Sequence, residues 1–255
     1  MKQLVEDNLY AFYDEVGSVL KTGFFKDSTI SWMNTGSSSW PNMIYNTSFS
    51  EEKSDEFVHA NTTAIKDRKA PPFWLLEDGV LNETLSQKLS KAGMRPIMHW
   101  TGMGISINAP LKYELSPTTK IRKVENTADL NAWQNILNQA LMTSNKIQDG
   151  IFEKLYKQDN FKLYLVLEND VPVATGLAYF NANNCGIYMI STLAEHRQKG
   201  YGSAVTKHCI NAAHQKGITN IVLQASDKGV SIYEKMGFKE YCEFNIMWML
   251  GKDFK

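Results

Sequence analysis

The chain has 255 residues, enough for one large domain or two small ones with a core in each. Its 27 basic and 27 acidic residues cancel, so no net field argues for a nucleic acid or an anionic membrane surface as partner. Cys185, Cys209 and Cys242 are odd in number and widely spaced, which fits neither a disulfide framework nor a zinc cluster and points to a reducing, cytoplasmic setting.

Met1 to Asp7 carry no apolar signal core, and no run approaches the roughly twenty apolar residues that span a bilayer, so no membrane is expected. Asn34 to Ser39 read as a polar loop. Phe73-Trp74-Leu75-Leu76 reads as a strand, and Leu81, Leu85 and Leu89 recur every four residues as the buried stripe of a helix. Lys91-Ala92-Gly93-Met94 then closes that helix and opens another strand. Trp32, Trp40, Trp74 and Trp100 fall in this half, suited either to a cleft wall or to ordinary core packing. Asn108 to Pro117 carry two prolines and no clear period and read as a linker or an irregular crossing strand. The expected division is therefore 1–112, a linker at 113–117, and a domain over 118–255.

The second half is more regular. Thr127 to Met142 form a helical stretch, and Phe161–Leu167 with Val171–Phe180 form a hairpin turning at Glu168-Asn169-Asp170. Gly186 to Leu193 make a strand and Ser203 to Lys216 a helix, with Arg197-Gln198-Lys199-Gly200-Tyr201-Gly202 between them. His208 and His214 lie six apart, not the three or four that put two ligands on one helical face, so no metal is expected. A strand over Ile221–Ser226 and a helix over Val230–Lys235 follow, with Gly237 as a left-handed cap and Phe238 opening the last strand.

Two glycines at this spacing allow close backbone approach, and the N–H groups at the start of the following helix suit an anion. The spacing alone is equally that of an ordinary turn. Taken with Ile232-Tyr233-Glu234-Lys235-Met236-Gly237-Phe238, however, Arg-x-x-Gly-x-Gly resembles the GNAT superfamily of acyl-CoA-dependent N-acyltransferases in order and spacing, over roughly residues 118–250.

The resemblance implies an α/β (α+β) fold, with a GNAT-type mixed, splayed β-sheet flanked by helices. It implies that amides from about Gln198 to Ser203 (Gln198, Lys199, Gly200, Tyr201, Gly202, Ser203) take the pyrophosphate of acetyl-CoA, with Arg197 first in the motif. Backbone groups near Ile190 and Thr192 would pair with the pantetheine arm as if it were a strand. Ser226 matches a position that often faces the pantetheine, and reads as well as a helix N-cap or turn serine. Tyr233 matches the tyrosine that protonates the departing thiolate, a role chemically open to a phenol of pKa near ~10. On its own it would read as a packing tyrosine. No carboxylate lies on Gly186 to Thr192. Glu195 and His196 are nearby but read better as loop residues, which leaves a water chain as the default base.

Lys91-Ala92-Gly93-Met94, followed nine residues later by Met103, parallels Lys235-Met236-Gly237-Phe238, followed nine residues later by Met247. The N-terminal half is therefore expected to be a degenerate GNAT-like subdomain without the anion loop. The expected activity is acetyl transfer from acetyl-CoA to a primary amine of a small molecule or peptide, in a ternary complex, by a monomer or homodimer. The alternative is a non-catalytic acyl-CoA-binding or regulatory module. A Rossmann or P-loop nucleotide site does not match, because neither Lys-Ser nor Lys-Thr follows the second glycine and no Gly-x-Gly-x-x-Gly opens a βαβ unit.

Overall fold

A computed structural model describes residues 1–20, 23–36, 40–141, 147 and 150–249. In chain order its first elements are α1 (Lys2–Leu20), β1 (Phe24–Lys26), β2 (Ser31–Met33), β3 (Met43–Tyr45), α2 (Ser54–Lys66), β4 (Phe73–Glu77), α3 (Glu83–Ala92) and β5 (Met94–Ser106). There follow β6 (Thr119–Lys123), α4 (Thr127–Ala140), α5 (Ile151–Leu155), β7 (Phe161–Glu168), β8 (Val171–Phe180) and β9 (Cys185–Thr192). Last come α6 (Tyr201–Gln215), β10 (Asn220–Ala225), α7 (Asp227–Glu234) and β11 (Lys239–Met249). Among the described residues, no helix is long and apolar enough to cross a membrane.

The chain forms two compact units, one of Met1–Phe12 with Gly102–Tyr241 and one of Tyr13–Thr101 with Cys242–Lys255. This differs from a single division at 113–117, which lies inside the first unit. The prolines do break regular structure there, but the segment is fastened to α6. Asn211 Nδ2 donates to the Leu111 carbonyl at 3.0 Å, and Leu111 N–H donates back to Asn211 Oδ1 at 2.8 Å. Tyr113 Oη lies 2.8 Å from His208 Nδ1.

In the first unit, β9 pairs parallel with β10 and antiparallel with β8, and β8–β7 and β7–β6 continue antiparallel. The sheet is therefore mixed. The β7–β8 hairpin turns at Asn169 (φ 51°) and Asp170 (φ 64°), two left-handed residues of the kinds that bear that conformation at least cost. Alternation along β9 and β10 sends Ile187, Ile221 and Leu223 into one cluster with Val205, Cys209, Ile210 and Ala213 of α6, all buried. Asn126 caps α4, its side chain accepting from Asp129 N–H at 2.9 Å. From α4, Trp133 is fully buried, packs edge-on against Phe152 and donates to the Gly176 carbonyl at 3.3 Å. The expected end of α4 at Met142 lies outside the described residues.

In the second unit, β1–β2 and β2–β3 pair antiparallel, β3–β4 parallel and β4–β11 antiparallel. Leu85 and Leu89 of α3 are buried with Trp74, Leu76, Met94 and Met247. Leu81 precedes the helix, because Asn82 is its N-cap and accepts from Leu85 N–H at 2.8 Å. Trp74 is a core residue whose indole donates to Thr47 at 2.9 Å, and Trp40 is buried as well. Ser37 to Ser39 of the expected polar loop lie outside the described residues. The sequence echo corresponds to matching element order: β4, α3, a left-handed Gly93 (φ 103°), β5, and again β10, α7, a left-handed Gly237 (φ 98°), β11.

Candidate functional site

The parallel pairing of β9 with β10 begins at Cys185↔Ile221 and ends at Ile187↔Leu223, although β9 runs on to Thr192 and β10 to Ala225. The two strands therefore part, and the far ends of β9 and β10 leave an opening between them. A bulge accompanies the parting. Thr175 pairs with Ser191 and Leu177 with Tyr188, so Met189 and Ile190 together face Gly176. Met189 is left-handed (φ 54°), and its carbonyl accepts from Thr175 Oγ1 at 2.9 Å. A side chain at position 176 would meet Val205 Cγ2 at 2.8 Å and Ile190 Cδ1 at 3.1 Å, so glycine is needed where the bulge closes on α6.

Leu193 N–H donates to Val173 O at 3.0 Å. Antiparallel alternation then turns the backbone of Thr192 away from β8 and towards the opening, while Ile190 two residues earlier lies in the bulge. The Thr192 carbonyl is already engaged, accepting from Arg197 Nε at 3.1 Å.

The loop after β9 holds Gln198 (φ 63°) and Gly200 (φ 82°) in the left-handed region. Among the described residues, none of the six N–H groups from Gln198 to Ser203 donates to another group of the chain. The first bond of α6 runs from Ala204 N–H to Gly200 O at 2.9 Å. Six consecutive unbonded donors thus stand at the positive end of a 15-residue helix, an arrangement suited to an anion. Two side chains of this loop are engaged elsewhere. Arg197 also donates to Ala140 O at 3.4 Å, and Lys199 Nζ pairs with both oxygens of Glu168 at 3.1 and 3.0 Å.

Tyr233, on α7, packs edge-on against Phe238 with ring centroids 5.9 Å apart. Burial, reinforced by the nearby Cys209, pushes its phenol up to about 12, while a hydrogen bond with Thr206 of α6 pulls it down. Gly229, one turn earlier, makes room for the ring, since a Cβ there would sit 3.1 Å from it. Ser226 stands at the N-cap of α7 in an extended conformation, but its hydroxyl makes no capping bond. Ser226 therefore holds the N-cap position through its carbonyl, which accepts from Gly229 N–H at 2.7 Å, and not through its side chain. Beyond the last β9–β10 pair, Ser191 Oγ and Gln224 Nε2 are buried without a partner among the described residues.

Glu195 is exposed, and His196 Nδ1 lies 2.8 Å from Glu168 Oε2. Among the described residues, no group of three His, Cys, Asp or Glu is placed to hold a metal. Two participants escaped sequence reasoning. Glu168 read only as a turn residue and Thr206 as a helix position, since neither carries a motif of its own.

The sequence model of the acetyltransferase (GNAT) family matches residues 130–238. Among solved structures, a GCN5-related N-acetyltransferase from Kribbella flavida superposes with a TM-score of 0.70 at 16% identity, covering 94% of this chain and 96% of its own. A functionally unknown protein from Staphylococcus epidermidis gives 0.65 at 13% identity, with 88% and 92% covered. A GCN5-related N-acetyltransferase from Sphaerobacter thermophilus gives 0.62 at 17%, with 80% and 70% covered. At these identities the likeness is one of fold. No curated relative matches the chain in sequence. The family match spans the elements from α4 to the Gly237 cap, including the parted strands, the free amides and Tyr233, and residues 130–238 are a domain of the acetyltransferase (GNAT) family.

Proposed function

We propose that this chain is an N-acetyltransferase that moves the acetyl group of acetyl-CoA to a primary amine of a small molecule or peptide, by direct attack in a ternary complex. Family membership makes acyl transfer from an acyl-CoA the reaction class. The observation that carries the reading is the run of six free N–H groups from Gln198 to Ser203 beside the opening between β9 and β10.

Bound acetyl-CoA supplies an activated thioester, and the chain supplies binding, orientation and a proton. The loop amides receive the pyrophosphate with backbone dipoles, because the Lys199 ammonium is already committed to Glu168. Backbone groups of Ile190 and Thr192 pair with the pantetheine arm, and an N–H there polarises the thioester carbonyl. Ser226 offers an uncommitted hydroxyl at the end of β10. Tyr233 gives its proton to the departing thiolate. At about 12 the phenol is fully protonated at neutral pH and has a proton to give. Holding both substrates together supplies much of the rate. With no carboxylate on β9, proton removal from the amine falls to water.

The Tyr13–Thr101 unit repeats the strand, helix, glycine, strand order without an Arg-x-x-Gly-x-Gly loop, which supports its reading as a degenerate copy that binds no acetyl-CoA. Cys185, Cys209 and Cys242 are buried and form no disulfide among the described residues, which accords with a cytoplasmic setting.

The test is thiol release from acetyl-CoA with purified protein over a panel of amines and peptides. Tyr233→Phe should lower turnover by about 10²-fold with acetyl-CoA affinity little changed. Tight acetyl-CoA binding with no thiol released for any amine would favour the non-catalytic binding module instead.

A further inference from the structure

We infer that Glu168, the last residue of β7, is a positioning residue for the anion loop, tying His196, Lys199 and Tyr201 so that the amides between and beside them converge before any ligand arrives. This rests on the reading that the loop binds the acyl-CoA pyrophosphate.

A loop whose own N–H groups are unbonded has nothing in its backbone to hold its shape, and two of its residues stand in the left-handed region. Something outside it must fix it. Arg197 fastens the entrance, through the Thr192 and Ala140 carbonyls. The rest converges on one carboxylate. Glu168 Oε2 takes His196 Nδ1 at 2.8 Å and both oxygens take Lys199 Nζ, while the Tyr201 hydroxyl acts on the same carboxyl and lowers its pKa. Thr119, which pairs with Glu168 across β6 and β7, acts on Tyr201 in turn and lowers its pKa. Two points of the stretch, His196 and Lys199, are thus bonded to the end of β7, and Tyr201 acts on the same carboxylate. Hydrogen bonds from Tyr201 and Lys199, then His196, hold the Glu168 carboxyl down at about 2, so the tie is charged at every working pH.

The arrangement also sets the electrostatics of the cradle. A carboxylate beside a phosphate site is unfavourable by itself, but here it is matched by Lys199. An incoming diphosphate then meets oriented dipoles and no net ammonium, and its affinity should depend little on salt. Preorganisation would be the gain, since the ordering cost is met in folding and not in binding.

The test is calorimetric titration of coenzyme A into the full chain at low and high potassium chloride, together with KM and kcat for acetyl-CoA. Glu168→Ala should weaken coenzyme A by about tenfold or more, raise KM much more than it lowers kcat, and steepen the salt dependence as Lys199 is released. Glu168→Gln, which keeps an acceptor but not the charge, should fall between. Tyr201→Phe removes one tie while keeping the ring, and should weaken binding by a smaller factor if Glu168→Ala does not fold. Unchanged or tighter binding in folded Glu168→Ala, or a loss confined to kcat, would overturn the positioning role. Absence of coenzyme A binding by the wild-type chain would instead overturn the reading of the loop itself.

Discussion

Thr206 Oγ1 donates to the Gly202 carbonyl at 2.8 Å and also bonds the Tyr233 hydroxyl, so one fully buried threonine joins the first turn of α6 to the proposed general acid. Having spent its proton on Gly202, the threonine oxygen is left to accept from the neutral phenol. Once the phenol gives up its proton, the threonine can turn and donate to the phenolate, which is how the bond lowers the acid's pKa.

Thr206→Val should therefore raise the Tyr233 pKa further and reduce kcat, with acetyl-CoA affinity close to wild type. Loss of one neutral hydrogen bond of this kind is worth about 1 kcal/mol, or roughly fivefold in rate. Thr206→Ser should restore most of it. Ultraviolet difference titration of the tyrosines, with Tyr233→Phe as the reference, reads the pKa independently of turnover. Superposable titrations of wild type and Thr206→Val would remove the threonine from the account.

The two loop glycines are needed for different reasons, which predicts different variants. Gly200 has φ 82°, and a Cβ added to it would have nothing within 4 Å, so a side chain there is opposed by conformation alone. Gly200→Ala should cost about 1 kcal/mol in thermal stability, and Gly200→Asn less. At Gly202 the nearest atom to a Cβ would be Ile190 Cγ2 at 3.6 Å, an ordinary contact. Gly202→Val should fold normally and lose acetyl-CoA affinity because the branched side chain holds the ligand off the amides. Calorimetry on the folded variant checks this, and wild-type affinity would mean that the diphosphate does not approach there.

The pH profile follows from the direction of the Tyr233 shift. An acid at about 12 keeps its proton through the alkaline range, so Tyr233 should produce no falling limb in kcat/KM below about pH 11. The rising limb belongs to the acceptor, whose ammonium must lose a proton near ~10.4 for a lysine-type amine. Activity should therefore climb with unit slope across the neutral and mildly alkaline range. A bell centred below about pH 9 would point to an unseen acid and base pair.

Residue order was enough to define the local pieces: a glycine pair opening a helix, the Tyr-Glu-Lys-Met-Gly-Phe run that closes α7, and the alternation that defines β7 to β10. These are legible because each depends on neighbours along the chain, on backbone conformation at Gly200 and Gly237 or on period-two burial along a strand. Where the chain divides is a matter of long-range contact, because 113–117 reads as a linker until Asn211 and His208, about a hundred residues on, are seen to hold it. The parting of β9 from β10 was legible only through the family resemblance, since it is a question of register and leaves no mark in either strand's composition. The roles of Glu168 and Thr206 emerge only in three dimensions. Glu168 lies 28 residues from His196 and 31 from Lys199, and a carboxylate in a hairpin turn gains its partners only when the sheet brings that turn beside the loop.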